Sequence, residues 1–148
     1  MSTLDRLQKV LISSERLGDI YYDEASTLSM PLGLLGFEDE TSFVIVPIGE
    51  DGVYSWLQSA TTPSLAFLAT SPHFFFADYT PEVNDSDLVG LDLRDETETH
   101  LLCLITIGDD AITANLLGPI VLNTRTRVAR QVVLSENHWT TNEPLQLT

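Results

Sequence analysis

The apolar runs of this chain are short, and turn-forming residues end them. Residues 43–48 stop at Gly49-Glu50-Asp51-Gly52, residues 99–107 at Gly108-Asp109-Asp110, and residues 114–117 at Gly118-Pro119. Runs of five to nine residues between such clusters read as strands. They do not alternate with helical patterns, which argues against a parallel nucleotide-binding sheet and for an antiparallel barrel or sandwich. Strands are expected at 10–13, 19–22, 43–48, 54–58, 65–69, 99–107, 112–116, 120–123 and 128–134. The near-continuous apolar character of 43–48 predicts burial on both faces. Residues 73–76 read as extended, and 86–91 as one short helix with Asp85 as its N-cap. The fold class is therefore mainly β: a single antiparallel β-barrel-like domain over 10–148 with at most one or two short helices. Residues 1–9 are expected as an extension, weakly ordered or a short helix, and the tail from Ser135 as irregular.

The stretch 113–123, Thr-Ala-Asn-Leu-Leu-Gly-Pro-Ile-Val-Leu-Asn, is the most informative. Gly118 tolerates unusual dihedrals and Pro119 blocks a helix, so the chain bends there and resumes as a strand. Asn115 and Asn123 each flank an apolar run. A buried amide needs hydrogen-bond partners, so both are expected to pin neighbouring loops. The apolar loop 30–37, with one Pro and two Gly, is expected to pack against the body.

A chain of 148 residues buries enough surface to fold without disulfide or metal. Cys103 is the single cysteine and reads as a buried thiol. No apolar run reaches membrane-spanning length and no secretion signal is evident, so a cytoplasmic protein is expected. The 22 acids against 7 bases give a formal charge of −15. Such a surface repels phosphate backbones and disfavours direct nucleic-acid binding. It attracts a basic protein, or serves solubility alone. Arg125, Arg127 and Arg130 lie together; they either form a small anion site or neutralise neighbouring acids across a sheet.

Enzymatic motifs are missing: there is no P-loop, no dinucleotide fingerprint, no nucleophile elbow and no zinc-protease helix. Of the histidines, only His100 has a nearby ligand type, Cys103. On a strand those two point to opposite faces and cannot share a metal. Carboxylate pairs such as Asp109-Asp110 sit in turns by their chemistry, whereas hydrolytic pairs need a desolvated cleft. No cofactor is implied. An aromatic stretch, His73 to Tyr79, is either core or, where a ring beside acids is exposed, a protein-binding patch. Strand alternation would put Phe75 opposite Phe74 and Phe76. Trp56 reads as buried and Trp139 as an exposed anchor. The expected partner-binding residues are Phe75, Asp78, Tyr79, Glu82, Trp139 and Glu143.

Several pieces in order and spacing resemble the FliW family. They are Pro31-Leu32-Gly33-Leu34-Leu35-Gly36-Phe37-Glu38, Trp56-Leu57-Gln58-Ser59, Asp78-Tyr79, Thr113-Ala114-Asn115-Leu116, Pro119-Ile120-Val121-Leu122-Asn123 and Arg130-Gln131-Val132-Val133-Leu134. The match spans about residues 18–145. Leu35 replaces a Pro common in the first motif, and Ala129 stands where a Gly commonly precedes the closing strand. The resemblance implies a compact β-barrel-like fold without catalysis. It also implies two partners, flagellin and the RNA-binding translational repressor CsrA. Flagellin occupying the protein would free CsrA to repress flagellin translation. Two readings compete: an acidic chaperone of flagellin that does not bind CsrA, and a hydrolase built on Asp109 and Asp110.

Overall fold

The computed structural model describes residues 9–135 and 138–145. The expected N-terminal helix or extension lies outside these residues except for Lys9, which begins the first strand. That strand, β1 (Lys9–Ser14), pairs with β2 (Gly18–Asp23) as a separate antiparallel hairpin. The remaining strands form one sheet: β3 (Leu28–Ser29), β4 (Ser42–Ile48), β5 (Tyr54–Ser59), β6 (Ala66–Thr70), β7 (Thr99–Ile107), β8 (Ile112–Ala114), β9 (Ile120–Asn123), β10 (Val128–Gln131) and β11 (Glu143–Pro144).

Strand order is β11-β8-β7-β6-β5-β4-β3-β10-β9, and β7 also pairs with β9. That extra pairing closes seven strands into a barrel. β7 bonds β6 through Cys103–Ile105. On its other edge it bonds β9 through its first four residues and β8 through its last three. One pairing departs from the antiparallel expectation: β3 and β10 run parallel, meeting at Ser29 and Val128.

Burial follows from this closure. Leu28, Met30, Leu34, Phe43, Leu57, Leu102, Ile120, Leu122 and Ala129 fill one core, with Phe67 and Leu104 against it. Side chains alternate along a strand, so β7 sends Leu102 and Leu104 to this core. Its Cys103 and Ile105 enter a second core with Tyr79, Ala114, Leu116 and Leu145. A third core joins Leu91, Val121, Val132 and Leu134. Cover on both faces is why β7 and β9 read as continuous apolar runs. On β4 double burial holds only at Phe43 and Val44; Pro47 and Ile48 run out to solvent.

Local chemistry explains the other differences. Residues 73–76 do not form the expected extended segment: Pro72, pre-set for a helical first position, opens a 3-10 turn over Pro72–Phe74. Of the segment 86–91 expected as a helix, only residues 86–88 are helical, within a 3-10 turn over Asp85–Leu88. Its N-cap is Asn84, not Asp85, and no side chain caps it. The tail is not wholly irregular, since Glu143–Pro144 pair with β8. In the loop 30–37, Met30 and Leu34 are buried while Leu32, Leu35 and Phe37 are exposed. Gly33 has φ +66°, and a Cβ there would lie 2.5 Å from the Phe37 carbonyl oxygen.

Polar side chains hold the parts together. Asn123 is fully buried. Its amide nitrogen donates to the Leu91 carbonyl at 2.6 Å and to that of Asp92 at 3.2 Å. Its oxygen accepts from the Arg125 and Thr126 amides. Gln58, also fully buried, accepts from Ser14 Oγ at 2.7 Å and donates to the Ser59 and Leu65 carbonyls, joining the hairpin to the barrel. Glu40 accepts from the hydroxyls of Ser59, Thr61 and Thr62. Those bonds, led by Ser59, hold its carboxyl below the usual range. Replacing Asn123 by Ala removes the partner of the buried Leu91 carbonyl and of the part-buried Arg125 and Thr126 amides, while Arg125 still donates to the Asp92 carbonyl. It is expected to cost about 1–3 kcal/mol in a urea unfolding titration; a loss under about 0.3 kcal/mol would mean that water replaces the amide.

Candidate functional site

The turn Pro72–Phe74 aims three adjacent rings differently. Phe74 is the exposed one, at 56%. Phe75 and Phe76 are half-buried against the second core. The expected exposure of Phe75 is thereby corrected, because alternation does not operate in a 3-10 turn. Phe75 packs its ring 5.8 Å from that of Tyr54.

Tyr79 is fully buried and donates its hydroxyl proton to the Leu116 carbonyl at 2.7 Å. It is a core residue and presents no side-chain surface to a partner. Trp139 is half-buried, edge-on to Tyr79 at 5.0 Å and to Phe76 at 6.2 Å, rather than an exposed anchor. Glu143 is half-buried and accepts from the amide and hydroxyl of the exposed Thr140. Asp78 and Glu82 are exposed. Of the six expected residues, then, only these two carboxylates are exposed; Phe75, Trp139 and Glu143 are half-buried and Tyr79 is buried. Trp56 departs from expectation in the other direction: it is half-buried, and the Arg16 guanidinium lies 5.0 Å from its ring centroid.

The aromatic loop and the tail converge on the corner 115–119. Thr140 accepts from the Leu116 and Leu117 amides, and the Leu134 and Val132 amides donate to the carbonyls of Leu117 and Pro119. Asn115 Oδ1 accepts from the Gly118 amide at 2.8 Å. Gln131 donates to the Gly118 carbonyl and accepts from the Leu35 amide, tying the corner to the loop 30–37. A Cβ on Gly118 would sit 3.1 Å from the Asn115 side chain.

The arginines divide. Arg125 pairs with Asp92 at 3.1 Å and Glu98 at 2.9 Å, and Arg130 with Asp87 at 3.6 Å. These acids come from the loop over β9, not from facing strands. Arg127, at φ 62°, donates to the Ser26 carbonyl. The three bases are thus engaged by their own chain. Seven bases cannot neutralise 22 acids, so the excess carboxylates dominate the surface potential.

Asp109 and Asp110 are both exposed in the β7–β8 turn. An exposed turn is not the enclosed cleft that a hydrolytic carboxylate pair needs. No group of three or more His, Cys, Asp or Glu side chains able to hold a metal occurs among the described residues. No helix among them is long and apolar enough to cross a membrane.

What these features define is a small closed β-barrel with a strongly acidic composition. The chain belongs to the FliW family of flagellar assembly factors: the family profile described as FliW protein matches residues 10–145. It is 34% identical over 138 residues to the flagellar assembly factor FliW of Bdellovibrio bacteriovorus, covering 92% of this chain and 79% of that one. Against the FliW of Bacillus subtilis the identity is 33%, covering 92% and 96%. A crystal structure of the flagellar assembly factor FliW superposes with a TM-score of 0.84 at 32% identity, covering 93% of this chain and 98% of that one.

Cys103 is fully buried, and burial pushes its thiol up to about 12. It is expected to resist a thiol reagent at pH 8 in the folded protein and to react at once in denaturant. Fast labelling of the folded chain would show that the second core opens.

Proposed function

We propose that this protein acts in the cytoplasm as a non-enzymatic regulator that binds flagellin and sequesters the RNA-binding repressor CsrA. Flagellin would occupy the protein while it accumulates, releasing CsrA to repress further flagellin translation. Export of flagellin would restore CsrA capture. The observation that carries this reading is membership of the FliW family over nearly the whole chain, and the charge supports it independently. An RNA-binding partner is basic, and a surface of net charge −15 would speed its encounter while repelling RNA from the complex.

The test is capture of purified flagellin and CsrA from the same organism. Both are expected to bind, and adding flagellin is expected to release CsrA. Raising salt from about 0.1 M to about 1 M shortens the screening length from about 10 Å to about 3 Å, and the CsrA on-rate is expected to fall about tenfold or more. Binding to neither partner would refute the reading. Binding of flagellin alone would leave an acidic flagellin chaperone.

A further inference from the structure

The outer face of the barrel carries an apolar trough that the sequence reading did not find. Pairing aligns Val46, Trp56, Leu68, Ile105 and Ala114 in one row across five strands. Around this row, Ile48, Tyr54, Trp56, Leu68, Ile107 and Ile112 line a depression of ≈ 320 Å³. Its two ends lie diagonally across the twisted sheet. Ile48 is paired with Tyr54 at one end, and Ile107 with Ile112 at the other. Ile107 is 67% exposed and Ile48 36%. On a flat sheet Tyr54 and Ile107 stand about 16 Å apart, the length of about eleven helical residues.

Each end leads directly into an acidic turn. Glu50 and Asp51 follow Ile48, and Asp109 and Asp110 follow Ile107; all four are exposed. A second depression shares Ile107 and Ile112 and is lined by Asp109 and Asp110. Arg16 borders the flank, its guanidinium over the Trp56 ring.

We propose that this trough receives an amphipathic segment of a partner protein, apolar on one face and carrying lysines or arginines toward both ends. Apolar side chains would cover Ile48, Trp56 and Ile107, as in helix-in-groove recognition, and the terminal cations would meet the two acidic turns. A second copy of this chain would bring like-charged turns together, and an anionic membrane would meet the same repulsion. The proposal rests on the protein-binding reading above and seats its basic partner in this trough.

The experiment uses the full chain and three synthetic helical peptides of about 18 residues. One is built of Leu and Lys, one has Glu for every Lys, and one has Ser for every Leu. Binding is followed by tryptophan fluorescence in a Trp139→Phe background. The Leu/Lys peptide is expected to bind at least about tenfold tighter than either control, about 1.4 kcal/mol. Ile107→Asn combined with Ile48→Asn, at exposed positions, is expected to weaken it about tenfold. Asp109→Asn with Asp110→Asn, which leaves the apolar floor intact, is expected to weaken it several-fold at low salt only. Equal binding of the Ser peptide would overturn the proposal in favour of charge adsorption. Unchanged affinity of the isoleucine variant would also overturn it, as would a chain dimer that this variant dissociates. If the wild-type chain captures flagellin or CsrA and the isoleucine variant captures them equally, the trough is refuted and the function stands. If the wild-type chain captures neither, the function fails, and the peptides still decide the trough.

Discussion

Closure of the barrel depends on the two edges of β7. One edge bonds β6; the other is divided between β9 and β8. A single strand can serve two neighbours on one edge only if those neighbours follow each other along it, and the bend at Gly118-Pro119 makes that possible. The bend leaves backbone groups between β8 and β9 that no ladder satisfies. Asn115, Gln131, Tyr79, Thr140 and, beyond the end of β10, Val132 and Leu134 supply the partners. Unpaired buried amides and carbonyls are costly, so the aromatic loop, the tail and the loop 30–37 are all held by the same corner. The stretch 113–123 is thus where the barrel, the aromatic loop and the tail are tied together.

Most strands were legible because turn chemistry and apolar runs are local signals. β7 and β9 match their expected bounds, and the turn at Gly18 places the first hairpin. What was not legible depends on distant partners. The parallel pairing of β3 with β10 joins residues about a hundred positions apart. The half-burial of Trp56 depends on Arg16 from the hairpin. Phe75 was misplaced because an aromatic run resembles a strand unless the proline before it is given its weight. Tyr79 and Trp139 look alike in sequence whether they face solvent or each other. Ile48 and Ile107 escaped notice because an isoleucine on a strand reads as core, and only the assembled sheet shows that these two run past their cover.

Charge and packing therefore occupy different regions. Arg125 and Arg130 fasten the loop over β9 by ion pairs to Asp87, Asp92 and Glu98. Exposed pairs of this kind contribute little to stability; their effect is to leave less negative charge beside β9. The turns after β4 and β7 keep their acids exposed beside exposed isoleucines. On the proposed function, a basic partner is drawn toward the acidic outer face, while the corner 113–123 holds the scaffold beneath it.

This division of labour can be read from amide hydrogen exchange on the full chain, free and saturated with CsrA. The account predicts that amides of β9 and of the first half of β7 exchange slowest in both states, with no change on binding. New protection should fall on β4, β5 and the β7–β8 segment. New protection centred on 113–131, with the outer face unchanged, would contradict the account and make the signature stretch itself the binding site.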